Sequence, residues 1–156
     1  MVSPKSVLFV CLGNICRSPL AEGAFRAAAL RAGLVVEIDS AGTGGWHIGD
    51  APDPRAQTEA ARHGVDITGL RARQVERADF TRFSHIFALD EANLADLRRL
   101  APSNATAQLM LLMDLLPDAA GQSVADPYYG GPEDFAQTWG EVSAAAEALV
   151  ARLIQG

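Results

Sequence analysis

Val7-Leu8-Phe9-Val10 is an unbroken apolar run of strand-forming residues, and from Pro19 onward the chain turns Ala-rich and helix-prone. A strand must therefore feed a short loop that opens a helix. The loop reads Cys11-Leu12-Gly13-Asn14-Ile15-Cys16-Arg17-Ser18. Ser18 before Pro19 has the form of an N-cap followed by the favoured first helical residue. The backbone N–H groups ahead of such a helix converge on one point, and with the positive end of the helix dipole they attract an anion.

The side chains of this loop suit covalent phosphoryl transfer. Cys11, at the C-terminal tip of the strand, faces the convergence point, where the dipole and Arg17 both favour thiolate over thiol. A loop curled around a tetrahedral anion returns Arg17 to face the sulfur, where its planar fork can grip two equatorial oxygens; a lysine would not substitute well. Gly13 permits close backbone approach, and Asn14 tolerates the left-handed conformation that a tight curl needs while its amide braces neighbouring backbone. Ser18 can donate its hydroxyl to the sulfur. The plain alternative is a buried structural cysteine beside an unrelated arginine. The position argues against it, because open α/β sheets bind ligands at such strand-to-helix junctions. A Walker-type loop is excluded, since no Gly-Lys-Ser/Thr occurs and Lys5 is the only lysine. No metal site or cofactor is expected: two cysteines and three scattered histidines match no familiar ligand spacing.

The rest of the chain alternates strand and helix. The pattern predicts strands Ser6–Cys11, Val35–Ser40, His85–Leu89 and Gln108–Met113. Helices are predicted over Pro19–Ala32 before Gly33, Pro54–His63 before Gly64, Glu91–Leu100, and Pro132 to about Ile154. In the last helix Phe135, Trp139, Val142, Ala146, Leu149 and Leu153 form one apolar stripe, which makes Trp139 a core residue. The expected fold is α/β, a four-stranded parallel sheet with helices on both faces, of flavodoxin-like or Rossmann-like type. With 156 residues and 49% hydrophobic content, residues 1–156 suit one domain with an ordinary core. A net charge of −6 argues against general nucleic-acid or anionic-membrane binding, so phosphate attraction has to be local to the loop. No long apolar span or secretory leader is read before Val7, and the expectation is a cytoplasmic protein without membrane insertion.

The stretch Val7 to Glu22 resembles the signature of the low-molecular-weight protein tyrosine phosphatases. Ser40-Ala41-Gly42-Thr43, Trp46, Pro52-Asp53-Pro54-Arg55-Ala56, His63-Gly64, Ala72-Arg73-Gln74, Asp90 with Asn93, and Asp126-Pro127-Tyr128-Tyr129-Gly130 are similar to that family in order and approximate spacing. The resemblance implies hydrolysis of phosphotyrosine in proteins through a phosphocysteine intermediate. Departure of a phenolate needs a proton, and Asp126, in the Gly- and Pro-punctuated segment from Ala120 to Gly131, is the candidate acid. Asp-Pro is also ordinary turn chemistry; the resemblance is what assigns Asp126 the role.

Trp46, on a Gly-rich loop, and Tyr128 with Tyr129 are read as cleft walls, with packing under the loop or on the sheet edge as the alternatives. The resemblance places the tyrosines in the phosphotyrosine pocket and implies that they can be phosphorylated. Leu12, Gly13, Asn14, Ile15, Cys16 and Ser18 complete the substrate cradle. It further implies that Ser40 and His63 hydrogen-bond Asn14, and that Asp90 supports the catalytic geometry; helix capping alone is the other reading of His63. Cys16 is either a small buried hydrophobe or, by resemblance, the partner in a reversible disulfide protecting Cys11. Arg55 with Asp53 matches a salt-bridge region, and His47 stands where many relatives carry asparagine. Glu22 and Arg26 read as an exposed i,i+4 pair.

The implied partner is a tyrosine-phosphorylated protein, and analogy with bacterial relatives points to a bacterial-type tyrosine kinase. Two competing functions share the loop. An arsenate reductase of the same fold would need resolving cysteines after Cys16, and none exists. A non-catalytic phosphotyrosine-binding module would keep Arg17 but not need Cys11 or Asp126.

Overall fold

The computed structural model describes residues 5–155. Strand β1 (Ser6–Cys11) leads through the loop into helix α1 (Arg17–Ala32), then β2 (Glu37–Gly42) and α2 (Pro54–Arg62). A one-turn helix α3 (Asp79–Arg82) precedes β3 (His85–Ala88), α4 (Glu91–Leu100), β4 (Gln108–Leu111) and the long α5 (Pro132–Gln155). All strand pairs are parallel and the sheet order is β2-β1-β3-β4. The α/β class, the four parallel strands and the helices on both faces are as the sequence predicts. With β2 on one side of β1 and β3 on the other, the C-terminal end of β1 is the topological switch point, so Cys11 stands where this architecture opens a crevice.

β1 is buried along its whole length. Its alternation splits the core in two: Val7, Phe9 and Cys11 face α1, α2 and α5, while Leu8 and Val10 face Phe80, Phe83, Leu94 and Leu97. Phe9 joins the layers of the larger cluster, with Phe25 of α1 edge-on at 5.8 Å and Phe87 of β3 stacked at 5.9 Å. The apolar stripe of α5 packs on α1, and Trp139 is buried as expected. Arg17 and Pro19 thus start a helix that is pinned between sheet and α5.

Several boundaries differ from expectation, among them the end of α2, which stops at Arg62 with His63 as its cap. α1 begins at Arg17 with Cys16 as its cap residue, so Ser18 is not the N-cap but lies inside the first turn. β2 runs Glu37–Gly42 rather than Val35–Ser40. The chain leaves α1 through a left-handed Gly33 whose following N–H, on Leu34, closes onto Ala29, and it reaches the sheet only when Glu37 hydrogen-bonds Lys5. Val35, a strand former by type, is left 95% exposed. β4 ends at Leu111, and Leu112–Leu115 turns into a 3₁₀ helix. β3 ends at Ala88, although Leu89 N–H still reaches Val10.

Leu149→Ala, removing a fully buried side chain from α5, should cost about 2–5 kcal/mol. Equilibrium urea unfolding measures it, and a loss below the lower bound would show that this interface collapses around the deletion.

Candidate active site

The loop between β1 and α1 is held by the side chain of Asn14, the one non-glycine among the described residues with a left-handed backbone, at φ 59°. Its Nδ2 donates to Ser18 Oγ at 2.7 Å and to Ser40 Oγ at 3.0 Å, and its Oδ1 accepts from Arg73 N–H at 3.0 Å. Both amide hydrogens are then spent. Each serine accepts from Asn14, so each must send its own hydroxyl hydrogen elsewhere: Ser40 to Glu22 Oε1 at 2.7 Å and Ser18 to Cys11 Sγ at 3.0 Å. Asn14 N–H also points at Cys11 Sγ, 3.3 Å away. Two donors thus converge on one sulfur.

Among the described residues, no acceptor takes the N–H groups of Leu12, Gly13, Ile15, Cys16, Arg17 and Ser18. A ring of free amides at a helix N-terminus is an anion cradle. Strand β2 supports it from outside, where Thr43 and Gly44 N–H bond the Cys11 and Leu12 carbonyls. A Cβ at Gly42 would meet the Leu12 carbonyl oxygen at 2.7 Å, so this position needs glycine for close approach, and one at Gly44 would push the exposed Trp46 ring aside.

Arg17 is buried, with Nη1 donating to Asp90 Oδ2 at 2.7 Å and to the Val124 carbonyl at 3.0 Å, and Nη2 lying 3.7 Å from Asp126 Oδ2. Burial opposes its charge, but Cys11, Asp90 and Asp126 outweigh that and hold its proton more firmly than usual. Asp90 is fixed in turn as the cap of α4, accepting Asn93 N–H at 2.7 Å. The cleft over the loop has a volume of about 250 Å³, with Trp46, His47, Tyr128 and Tyr129 as walls and Asp126 at its edge. Asp126 accepts Tyr128 N–H at 3.1 Å, which aims the carboxyl across the cleft. The two tyrosine rings meet edge-on at 4.9 Å. Cys11, Arg17, Asp126 and the named walls are thus brought to one cleft although Asp126 is remote in sequence.

Some expectations need correction. His63 does cap α2, but it does not touch Asn14: it bonds Glu59 at 2.8 Å and stacks on Trp139 at 4.8 Å. The Asn14 amide is instead filled by Ser18, Ser40 and Arg73 N–H. Glu22 pairs with Arg26 as predicted, yet it is 1% exposed and terminates the Ser40 relay. The signal for this was its position one helical turn after Ser18, on the face turned to the sheet. Cys11 and Cys16 are free thiols. Burial first, then Asp53, pushes the Cys16 thiol well above its ordinary range, so it is held protonated.

Residues 6–156 match the family model described as low molecular weight phosphotyrosine protein phosphatase. The low molecular weight protein-tyrosine-phosphatase of Streptomyces coelicolor is 47% identical over 150 residues, covering 93% of this chain and 91% of that protein. The low molecular weight phosphotyrosine protein phosphatase 1 of Drosophila melanogaster is 40% identical over 97% of this chain and 98% of its own length. Among solved structures, YfkJ from Bacillus subtilis superposes with a TM-score of 0.89 at 41% identity, covering 99% and 97% of the two chains. The chain belongs to the low molecular weight phosphotyrosine protein phosphatases. It is therefore a hydrolase of the protein tyrosine phosphatase class.

Burial pushes the Glu22 carboxyl above its ordinary range despite the bonds from Ser40 and Arg26. The folded state then binds this proton more tightly than the unfolded chain. Its contribution to stability is full below the unfolded value and is lost as pH rises through the raised folded value. Glu22→Gln should remove that decline; a wild-type slope of urea midpoint against pH in the variant would contradict it.

Proposed function

We propose that the chain hydrolyses phosphotyrosine through a phosphocysteine on Cys11, with Asp126 as general acid and then general base. The observation that carries this reading is the convergence on one cleft of a sulfur held by two donors, a ring of free amides, the Arg17 fork and the Asp126 carboxyl. Cys11 Sγ attacks phosphorus in line, an S–P bond forms and the P–O bond to tyrosine breaks. Asp126 delivers its proton to the departing phenolic oxygen. Water then attacks phosphorus, Asp126 takes a proton from it, and the S–P bond breaks to return the Cys11 anion and release phosphate. Ser18 steadies that sulfur as the leaving group.

Loop amides and Arg17 hold the equatorial oxygens throughout. Asp90 and the Val124 carbonyl keep the guanidinium oriented through Nη1, leaving Nη2 directed toward Asp126 and the cleft. Ser40 and Asp90 act as positioning residues. A phosphotyrosine reaches the floor because its ring spans the cleft between Trp46 and the Tyr128–Tyr129 pair; a phosphorylated tyrosine kinase is one protein that could present it. A cytoplasmic setting suits a mechanism that needs Cys11 reduced. No helix among the described residues is long and apolar enough to cross a membrane.

Rapid quenching during turnover should recover phosphorus on Cys11 in the wild type and none in Cys11→Ser. Asp126→Ala should slow phenyl phosphate turnover by about 10²–10⁴-fold. A folded Asp126→Ala protein at full rate, or quenched wild type without phosphocysteine, would remove the reading. After peroxide treatment, thiols should restore more activity to wild type than to Cys16→Ser if Cys16 shields Cys11 by disulfide formation; equal recovery would refute that role.

A further inference from the structure

Nine large hydrophobic side chains are exposed among the described residues, and four of them line the mouth of the cleft: Leu12, Trp46, Tyr128 and Tyr129, with Ile48 two residues along the chain from Trp46. The other four, Leu30, Val35, Leu100 and Ile154, belong to separate elements. A contiguous apolar rim around a concave site marks a surface that a partner covers.

The charge of this rim is one-sided. Asp50, its side chain 60% exposed, sits on the turn that carries Trp46 and bonds His47 Nδ1 at 3.2 Å. The turn is anchored at both ends, by Asp50 N–H to the His47 carbonyl and by Ala72 N–H to the Asp50 carbonyl. Asp126, 45% exposed, faces it from the other wall. The two arginines whose contacts reach the cleft are committed. Arg17 is buried on Asp90, and Arg55 gives Nε and Nη2 to Asp53 at 3.0 and 2.9 Å while lying 5.4 Å over the Tyr128 ring. The inner cradle therefore attracts phosphate, while at the rim Asp50 presents an exposed carboxylate that meets the His47 ring and, among the described residues, no arginine or lysine, on a chain of net charge −6.

We infer that the mouth is fitted to phosphotyrosine segments with basic and apolar neighbours, and that Asp50 sets the charge preference. The inference rests on the proposed function and deepens it. Lysine or arginine beside the phosphotyrosine meets Asp50 at the rim, apolar neighbours cover Trp46, Ile48 and Tyr129, and acidic neighbours meet like charge. Asp50 is a specificity residue and takes no part in bond making.

Two phosphotyrosine peptides of equal length, one flanked by lysine and leucine and one by glutamate and leucine, test this, with p-nitrophenyl phosphate as the reference substrate for each enzyme form. Wild type should favour the lysine peptide in kcat/KM by about three- to tenfold at low salt, and the ratio should approach one at high salt. Asp50→Asn should shrink the ratio and Asp50→Lys should reverse it. Equal rates, a glutamate preference, or an unchanged ratio in a folded Asp50→Lys enzyme would overturn the inference while leaving the phosphatase reading intact. Failure of wild type to turn over p-nitrophenyl phosphate would instead strike the catalytic assignment, and the preference would fall with it.

Discussion

The site depends on one side-chain amide. Asn14 accepts a left-handed backbone so that its own N–H faces Cys11, and its amide then ties the loop to α1 through Ser18, to β2 through Ser40 and to the Arg73 segment through a backbone N–H. A carboxamide is the group that can do this, because it offers two donors and an acceptor in a fixed plane. By donating to both serines it also dictates which way their hydroxyls point. The direction of one hydrogen bond at Asn14 thereby reaches the sulfur on one side and Glu22 on the other. Polar groups buried this deeply are stable only as a fully connected set, and this set is closed.

Phosphate attraction in this protein is a matter of oriented dipoles more than of net charge. The one buried cation at the cradle, Arg17, already faces Asp90 and Asp126, so its charge is largely answered within the protein. For an incoming dianion the loop N–H groups add to the Arg17 Nη2 side of the guanidinium, and they cost little to orient because the strand-to-helix turn has fixed them. The acidic rim outside and the amide cradle inside then act on different parts of a substrate, the flanking residues and the phosphate.

Much of the fold was legible because periodicity and punctuation agree: the apolar β1, the stripe on α5, and Gly33 and Gly64 after their helices all read correctly. The misread boundaries have a common cause. Val35 has the shape of a strand residue, but strand pairing is decided by the neighbour, and β1 offers its first partner to Glu37. Ser18 has the shape of a cap, but a cap is defined by where the helix starts, and the helix already starts at Arg17. Local propensity carries no information about either neighbour.

The order Cys11, Asn14, Arg17, Ser18 determined which polar groups meet at the cradle by itself, since those residues span one strand-to-helix junction whose geometry follows from a strand giving way to a helix. Tertiary structure alone decided which distant residues complete it. Val124 supplies a carbonyl to Arg17, Arg73 a backbone N–H to Asn14, and Glu22 the end of the Ser40 relay, while His63 turns to Glu59 and Trp139. Residue type announces what a side chain can bond. Only the packing of sheet, α1 and α5 determines which partner lies within a hydrogen bond's reach.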